Sequence, residues 1–172
     1  MTDWKRLWRH LITDHKAVRK LFSPQSLRHL EQATRHGEHL HHGQVRLAIE
    51  ASLPLNAVRL GMTPRQRALE VFGQLRVWDT AANSGVLVYL LVADRSVEII
   101  ADRGIHSKVG DGAWREICEK MEAQFRDGKF TAGAQSGLVG IGSLLALHFP
   151  RRTDESASGA KDNELPDAPV LL

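Results

Sequence analysis

Residues Val86 to Val92 form an unbroken apolar run rich in β-branched side chains, and a second β-prone run, Ser96 to Ala101, follows close behind. The first run is too short for a convincing helix and suits a strand buried on both faces. Ala93-Asp94-Arg95-Ser96 reads as a two-residue turn centred on Asp94-Arg95, because Asp tolerates the left-handed backbone such turns need. That register sets Val92 opposite Val97 and Leu87 opposite Asp102. Asp79, Asn83, Asp102 and Arg103 then converge at one end of the sheet, and Asp94 and Arg95 lie at the other. Asp111, just before a helical pattern, is expected to return to the first end. The hairpin thus points to a polar site.

The flanking segments supply helices. Trp4, Leu7, Trp8, Leu11, Ile12 and Val18 recur at helical spacing until Ser23-Pro24, and Ser26 to about His39 makes a second helix. Val45, Leu47 and Ile49 alternate with Arg46, Ala48 and Glu50, which predicts a strand with one polar face, near a sheet edge. Leu53 to Gly61 reads as a loop. Thr63-Pro64 opens a helix running to about Leu75 in cap-then-proline order. Asp111 is expected to N-cap a helix through Trp114, Ile117, Cys118, Met121 and Phe125. A Gly-rich helix from about Thr131 to Phe149 closes the domain. The pattern predicts a single layered α/β/α sandwich with a small mixed sheet, three strands readable and a fourth hidden in a loop. Residues 1–24 read as an N-terminal amphipathic helix, 25–150 as the domain and 151–172, rich in Ser, Asp, Gly and Pro, as a disordered tail.

Composition narrows the function classes. With 172 residues, 42% of them hydrophobic, the chain can fill one core. Its net charge is only +3, and the basic residues form no block interleaved with aromatics, which argues against nucleic-acid binding. A lone Cys118 excludes an internal disulfide and suits a reducing compartment. Charges at Asp3, Lys5, Arg6 and Arg9 break any apolar signal region, so a cytoplasmic location is expected.

Several short stretches together resemble the TPM domain family. They run from Gly43-Gln44-Val45-Arg46-Leu47-Ala48-Ile49-Glu50 through Arg67-Ala68 and Val71-Phe72 to Asn83-Ser84-Gly85-Val86-Leu87. Ala93-Asp94-Arg95 and Ala101-Asp102-Arg103-Gly104-Ile105 follow, then Val109-Gly110, Trp114, Phe125-Arg126-Asp127-Gly128, Gly133 and His148-Phe149-Pro150. The likeness covers roughly residues 25 to 150. It is to the short bacterial members without a signal peptide, which often accompany LemA-type membrane proteins. The resemblance implies a binding or accessory module with a protein partner, that membrane protein among the candidates. It also implies Ca²⁺, or Mg²⁺ in its place, on acidic loop residues, and in one branch an acid-phosphatase activity.

Asp79, Asn83, Asp102 and Asp111 are the side chains that would serve the cation, with Ser84 and backbone carbonyls adding oxygens. Helix capping, turn formation and pairing with Arg103 account for the same residues without a ligand. A metal-assisted phosphoesterase would draw on Asp102, Arg103 and Asp111, with Lys108 reaching in from the loop, yet no established phosphatase motif is present. His36, His39, His41 and His42 suit a solvated helix end better than a metal site, for want of an i, i+4 pair with an acidic third ligand. Ala132 to Phe149 approaches membrane-spanning length, but its Gly, Ser and Gln content favours a buried helix packed closely on the sheet. The N-terminal helix opposes Trp4, Trp8, Leu11 and Ile12 to Lys5, Arg6, Arg9, Lys16 and Arg19. That pattern suits ordinary packing, a partner helix, or peripheral contact with the inner membrane.

Overall fold

Burial on both faces of three adjacent strands splits the interior into two cores. The computed structural model describes residues 3–151 and 164–172. Strands β1 (Gln44–Glu50), β2 (Gly85–Leu91), β3 (Ser96–Ala101) and β4 (Val170–Leu171) form one sheet in the order β3-β2-β1-β4. β1 runs parallel to β2 and β4, while β2 and β3 are antiparallel. Side chains alternate across a strand, so Val86, Val88 and Leu90 enter one core and Leu87, Tyr89 and Leu91 the other. The first core is roofed by α2 (His15–Leu21), α3 (Pro24–Glu38), α7 (Asp111–Arg126) and α8 (Phe130–His148). The second is covered by α1 (Trp4–Ile12), α4 (Leu55–Arg59) and α5 (Pro64–Gln74). This is the expected α/β/α sandwich.

The hairpin register differs from expectation by two residues. Leu87 pairs with Ile100 and Leu91 with Ser96, not Leu87 with Asp102 and Val92 with Val97. Val92 and Ala93 donate their N–H groups to Glu50 and Ala51 carbonyls instead, so the chain keeps following β1 beyond the end of β2 before it turns into β3. Arg95, at φ +52°, completes a four-residue connection. An even slip leaves every side chain on its intended face.

Local capping explains the other departures. One N-terminal helix becomes two, because the Asp14 carboxylate accepts the Ala17 N–H at 2.9 Å and restarts the chain as α2. The Leu53–Gly61 loop contains α4, and the acidic loop after β3 is α6 (Arg103–Val109). Gly110 at φ +76°, rather than Asp111, occupies the N-cap of α7, which leaves Asp111 in the first helical turn. The helix at Thr63-Pro64 forms as predicted, with a capping box between Thr63 and Gln66.

The N-terminal helices and residues 164–172 belong to the folded unit. Val18 and Phe22 enter the first core and Leu7 the second. Residues 164–172 lie against the sheet, contrary to the expected disorder, while 152–163 fall outside the described residues. β4 covers the outer side of β1, so β1 is an inner strand and not an edge. Arg46 fixes the segment by donating from Nη1 to the Pro166 and Ala168 carbonyls, each at 2.6 Å. The buried Gln44 amide oxygen accepts from the Glu164 and Leu165 N–H groups at 3.1 and 3.3 Å.

α8 has the length and apolarity of a membrane span by composition alone. Here it packs between α3 and α7 with Gly133, Gly137, Leu138, Ile141 and Leu145 buried. Its glycines approach neighbouring helices and not the sheet: Gly137 abuts Met121 of α7, and Gly142 abuts Gly37 of α3.

Candidate functional site

Three features converge where β2 begins and β3 ends. The loop before β2 turns sharply, with Asn83 in the left-handed region at φ +50° and the Ser84 N–H bonded to Thr80 Oγ1 at 2.8 Å. Gly85 lies so close to the Val77 carbonyl that a side chain there would collide with backbone. Asp102, leaving β3, donates its N–H to the Gly85 carbonyl at 2.8 Å and caps α6 by accepting the Arg103 N–H on Oδ1 at 2.7 Å. Gly104 lets the loop close on that helix: a Cβ there would fall 2.6 Å from the Asn83 carbonyl oxygen and 2.8 Å from that of Ala82.

The electrostatics of this corner are incomplete. Asp102 and Ser84 are buried, at 9% and 4% exposure, and Asp102 Oδ2 and Ser84 Oγ have no hydrogen-bond partner among the described residues. A buried carboxylate oxygen without a donor costs folding free energy unless a ligand satisfies it. Both unsatisfied side-chain atoms are oxygens, the donor type that Ca²⁺ and Mg²⁺ take. These two oxygens are what the corner would offer a hard divalent cation.

The predicted residues divide between this corner and other places. Asp102 and Asn83 lie together, and Asp79 is exposed on the same loop, its N–H bonded to the Arg76 carbonyl at 2.9 Å. Asp111 opens α7 after α6; its exposed carboxylate stands 3.7 Å from His106 Nε2, and it lines a cleft with Ala101 and His106. Arg103 meets Asp102 through its backbone N–H while its side chain is exposed. Lys108, expected to reach the site, lies over the Phe149 ring at 4.5 Å from its centroid. Among the described residues no three His, Cys, Asp or Glu side chains gather as a metal cluster, so a cation here would lean on carbonyl and hydroxyl oxygens. His36, His39 and His42 are exposed and His41 is buried, its Nδ1 3.1 Å from the Gly43 carbonyl oxygen.

Glu164 was not foreseen. Its Oε2 accepts the Ala81 N–H at 2.7 Å, which brings a carboxylate from the C-terminal segment onto the same loop. Nothing in the tail's composition signals this contact.

Two further polar centres do other work. Glu50 receives a two-pronged bond from Arg67 at 2.9 and 3.1 Å and the Tyr89 hydroxyl at 2.7 Å, beneath α5. The Glu50 bond raises the Arg67 pKa, and burial together with Glu50 pushes the Tyr89 phenol well above its usual range. Along the edge strand β3, Glu122 accepts the Val97 N–H at 3.0 Å and Arg65 donates to the Ile99 carbonyl at 2.8 Å, which blunts the edge against pairing. Between them a cleft of about 510 Å³ includes Trp114, Asp111 and Cys118. Burial, Glu98 and Glu122 push the Cys118 thiol up to about 12, so it is no nucleophile at neutral pH. In native protein at pH 7.5, iodoacetamide is expected to leave Cys118 unmodified over an hour while labelling it fully in denaturant, as mass spectrometry will read.

Comparison with known proteins agrees with this architecture. The family model described as TPM domain matches residues 16–144. Among solved structures, the NMR structure of the BA42 protein from the psychrophilic bacterium Bizionia argentinensis sp. nov. aligns with a TM-score of 0.74 at 26% identity. The alignment covers 88% of this chain and 95% of that one. No curated protein matches the chain.

Proposed function

The chain belongs to the TPM domain family, and from that premise we propose that it is a non-catalytic binding module that takes a divalent cation, Ca²⁺ or Mg²⁺, where β2 begins and β3 ends. The observation that carries the reading is the buried Oδ2 of Asp102, which has no hydrogen-bond partner among the described residues. Asp102 supplies the charge. Ser84 and the carbonyls of the 79–84 loop supply neutral oxygens, and Asp79 and Asn83 stand on that same loop. A cation there ties the loop to the first turn of α6 and so stiffens a surface that a protein partner can read. A LemA-type membrane protein is the partner class that the sequence resemblance suggests.

The phosphoesterase alternative has less to draw on. Of its expected residues, Arg103 meets Asp102 only through its backbone N–H, and Lys108, expected to reach in, is engaged with Phe149. The non-catalytic reading needs neither residue.

Asp102→Asn gives a clean test, because Asn caps a helix about as well as Asp but removes the charge. At a cation concentration a hundredfold above Kd, binding to the folded state alone adds about 2.7 kcal/mol, about 5–10 °C in Tm for a chain of this size. Calorimetry with CaCl₂ and with MgCl₂ is expected to show that rise for the native protein and none for Asp102→Asn, whose Tm without metal stays within about 2 °C of native. An equal rise in both proteins would remove Asp102 from the site. Turnover of a generic phosphoester by the native protein, abolished in Asp102→Asn, would overturn the non-catalytic reading.

A further inference from the structure

α1 is attached to the domain by its polar side. Arg6 Nε reaches Asp94 at 3.0 and 3.2 Å, Arg9 Nη2 reaches it at 3.4 Å, and His10 Nε2 lies 3.1 Å from Asp94 Oδ1. The Leu53 N–H donates to His10 Nδ1 at 2.9 Å, which turns the protonated Nε2 of the neutral ring toward Asp94. Leu7 and His10 are buried. Trp4, Trp8 and Ile12 recur every four residues on the opposite side, with Leu11 adjoining. Their exposures are 71%, 62%, 59% and 57%, the reverse of what an amphipathic helix shows when it packs by its apolar stripe.

The surroundings continue the pattern. α4 packs on α1 and leaves Leu55 and Leu60 exposed at 38% and 86%. Lys5 and Arg9 on α1 and Arg59 on α4 are exposed, Arg9 also reaching Asp94, while Lys16, Arg19 and Lys20 are exposed on α2, which covers the other core. The two acidic residues of α1 and α2, Asp3 and Asp14, are occupied as helix caps. Exposed Trp and aliphatic side chains with Lys5 and Arg59 on the same pair of helices match a negatively charged plane: Trp seats at the headgroup level while Lys and Arg meet anionic lipids. We propose that this face of α1 docks the protein on an anionic lipid bilayer. The proposal is independent of the Asp102 cation site.

Sedimentation of the purified full chain with lipid vesicles tests it. Vesicles of phosphatidylcholine containing phosphatidylglycerol are expected to bind it at least about tenfold more tightly than phosphatidylcholine alone, and the difference falls as salt rises. Trp8→Ala combined with Leu11→Ser is expected to cut binding by about tenfold or more with unchanged circular dichroism, since both side chains already face solvent. Lys5→Glu combined with Arg59→Glu is expected to remove the preference for phosphatidylglycerol. Brominated lipids are expected to quench tryptophan emission equally in native protein and Trp78→Phe, because Trp4 and Trp8 carry the contact. No binding to phosphatidylglycerol vesicles, or equal binding by the Trp8→Ala, Leu11→Ser protein, would overturn the proposal. So would a dimer in sedimentation equilibrium that the same variant disperses, because a second copy then covers this face.

Discussion

Glu50→Ala is expected to cost about 3–5 kcal/mol of folding free energy, the usual penalty for removing one partner of a buried charged pair. The carboxylate is 8% exposed and takes three bonds, two from Arg67 and one from the Tyr89 hydroxyl. Truncation leaves the guanidinium with only Glu70, at 3.0 Å and near the surface, and leaves a fully buried phenol with no acceptor. The expected fall in Tm is about 10 °C or more. Glu50→Gln keeps an acceptor for Tyr89 and is expected to lose about half as much. Tyr89→Phe removes one neutral donor and should cost about 1 kcal/mol. Urea titrations of the three variants give the ranking, and a Glu50→Ala loss below that of Tyr89→Phe would refute the network's place in the core.

Asp94→Ala is the second large effect, about 3 kcal/mol by the same reasoning, and it falls on one element. Burial by itself would raise the Asp94 pKa, but hydrogen bonds from His10 and Arg6 outweigh it and hold the carboxyl well below the usual carboxylate range. A depressed pKa in the folded state contributes stability that is present above the unfolded value of about 3.9 and is lost as pH falls toward the folded value. The native protein is therefore expected to loosen α1 below about pH 4, whereas Asp94→Ala is loosened already at neutral pH. Hydrogen exchange in α1 is the measurement. Fast exchange confined to α1 and α4 supports the latch, and unchanged protection in Asp94→Ala contradicts it.

How far the sequence carried these conclusions depended on the range of each interaction. β2 was legible because every position in it is apolar, and α5 because Thr63 and Gln66 cap it within one turn. The hairpin register was not, because Val92 and Ala93 bond to β1, which a local turn rule cannot anticipate. α6 had a signal that the loop reading passed over: Asp102 as a cap, Ile105 and Val109 four residues apart, Gly110 as a stop. That helix stands between Asp102 and Asp111 in the chain. The C-terminal strand lay behind a Ser- and Asp-rich stretch, with only Val170-Leu171-Leu172 to betray it. Periodicity found the amphipathic α1 but not its orientation, because Asp94, which decides which face turns inward, lies 88 residues from Arg6.

The cation claim rests most directly on Asp102, and amide chemical shifts read it residue by residue. Titration of ¹⁵N-labelled protein with CaCl₂ to several millimolar is expected to move the amides of Asn83, Ser84, Gly85, Arg103 and Gly104 saturably, to leave those of His106 and Asp111 in place, and to move none of them in Asp102→Asn. Shifts centred on Asp111, or a spectrum unmoved by both CaCl₂ and MgCl₂, would contradict the account.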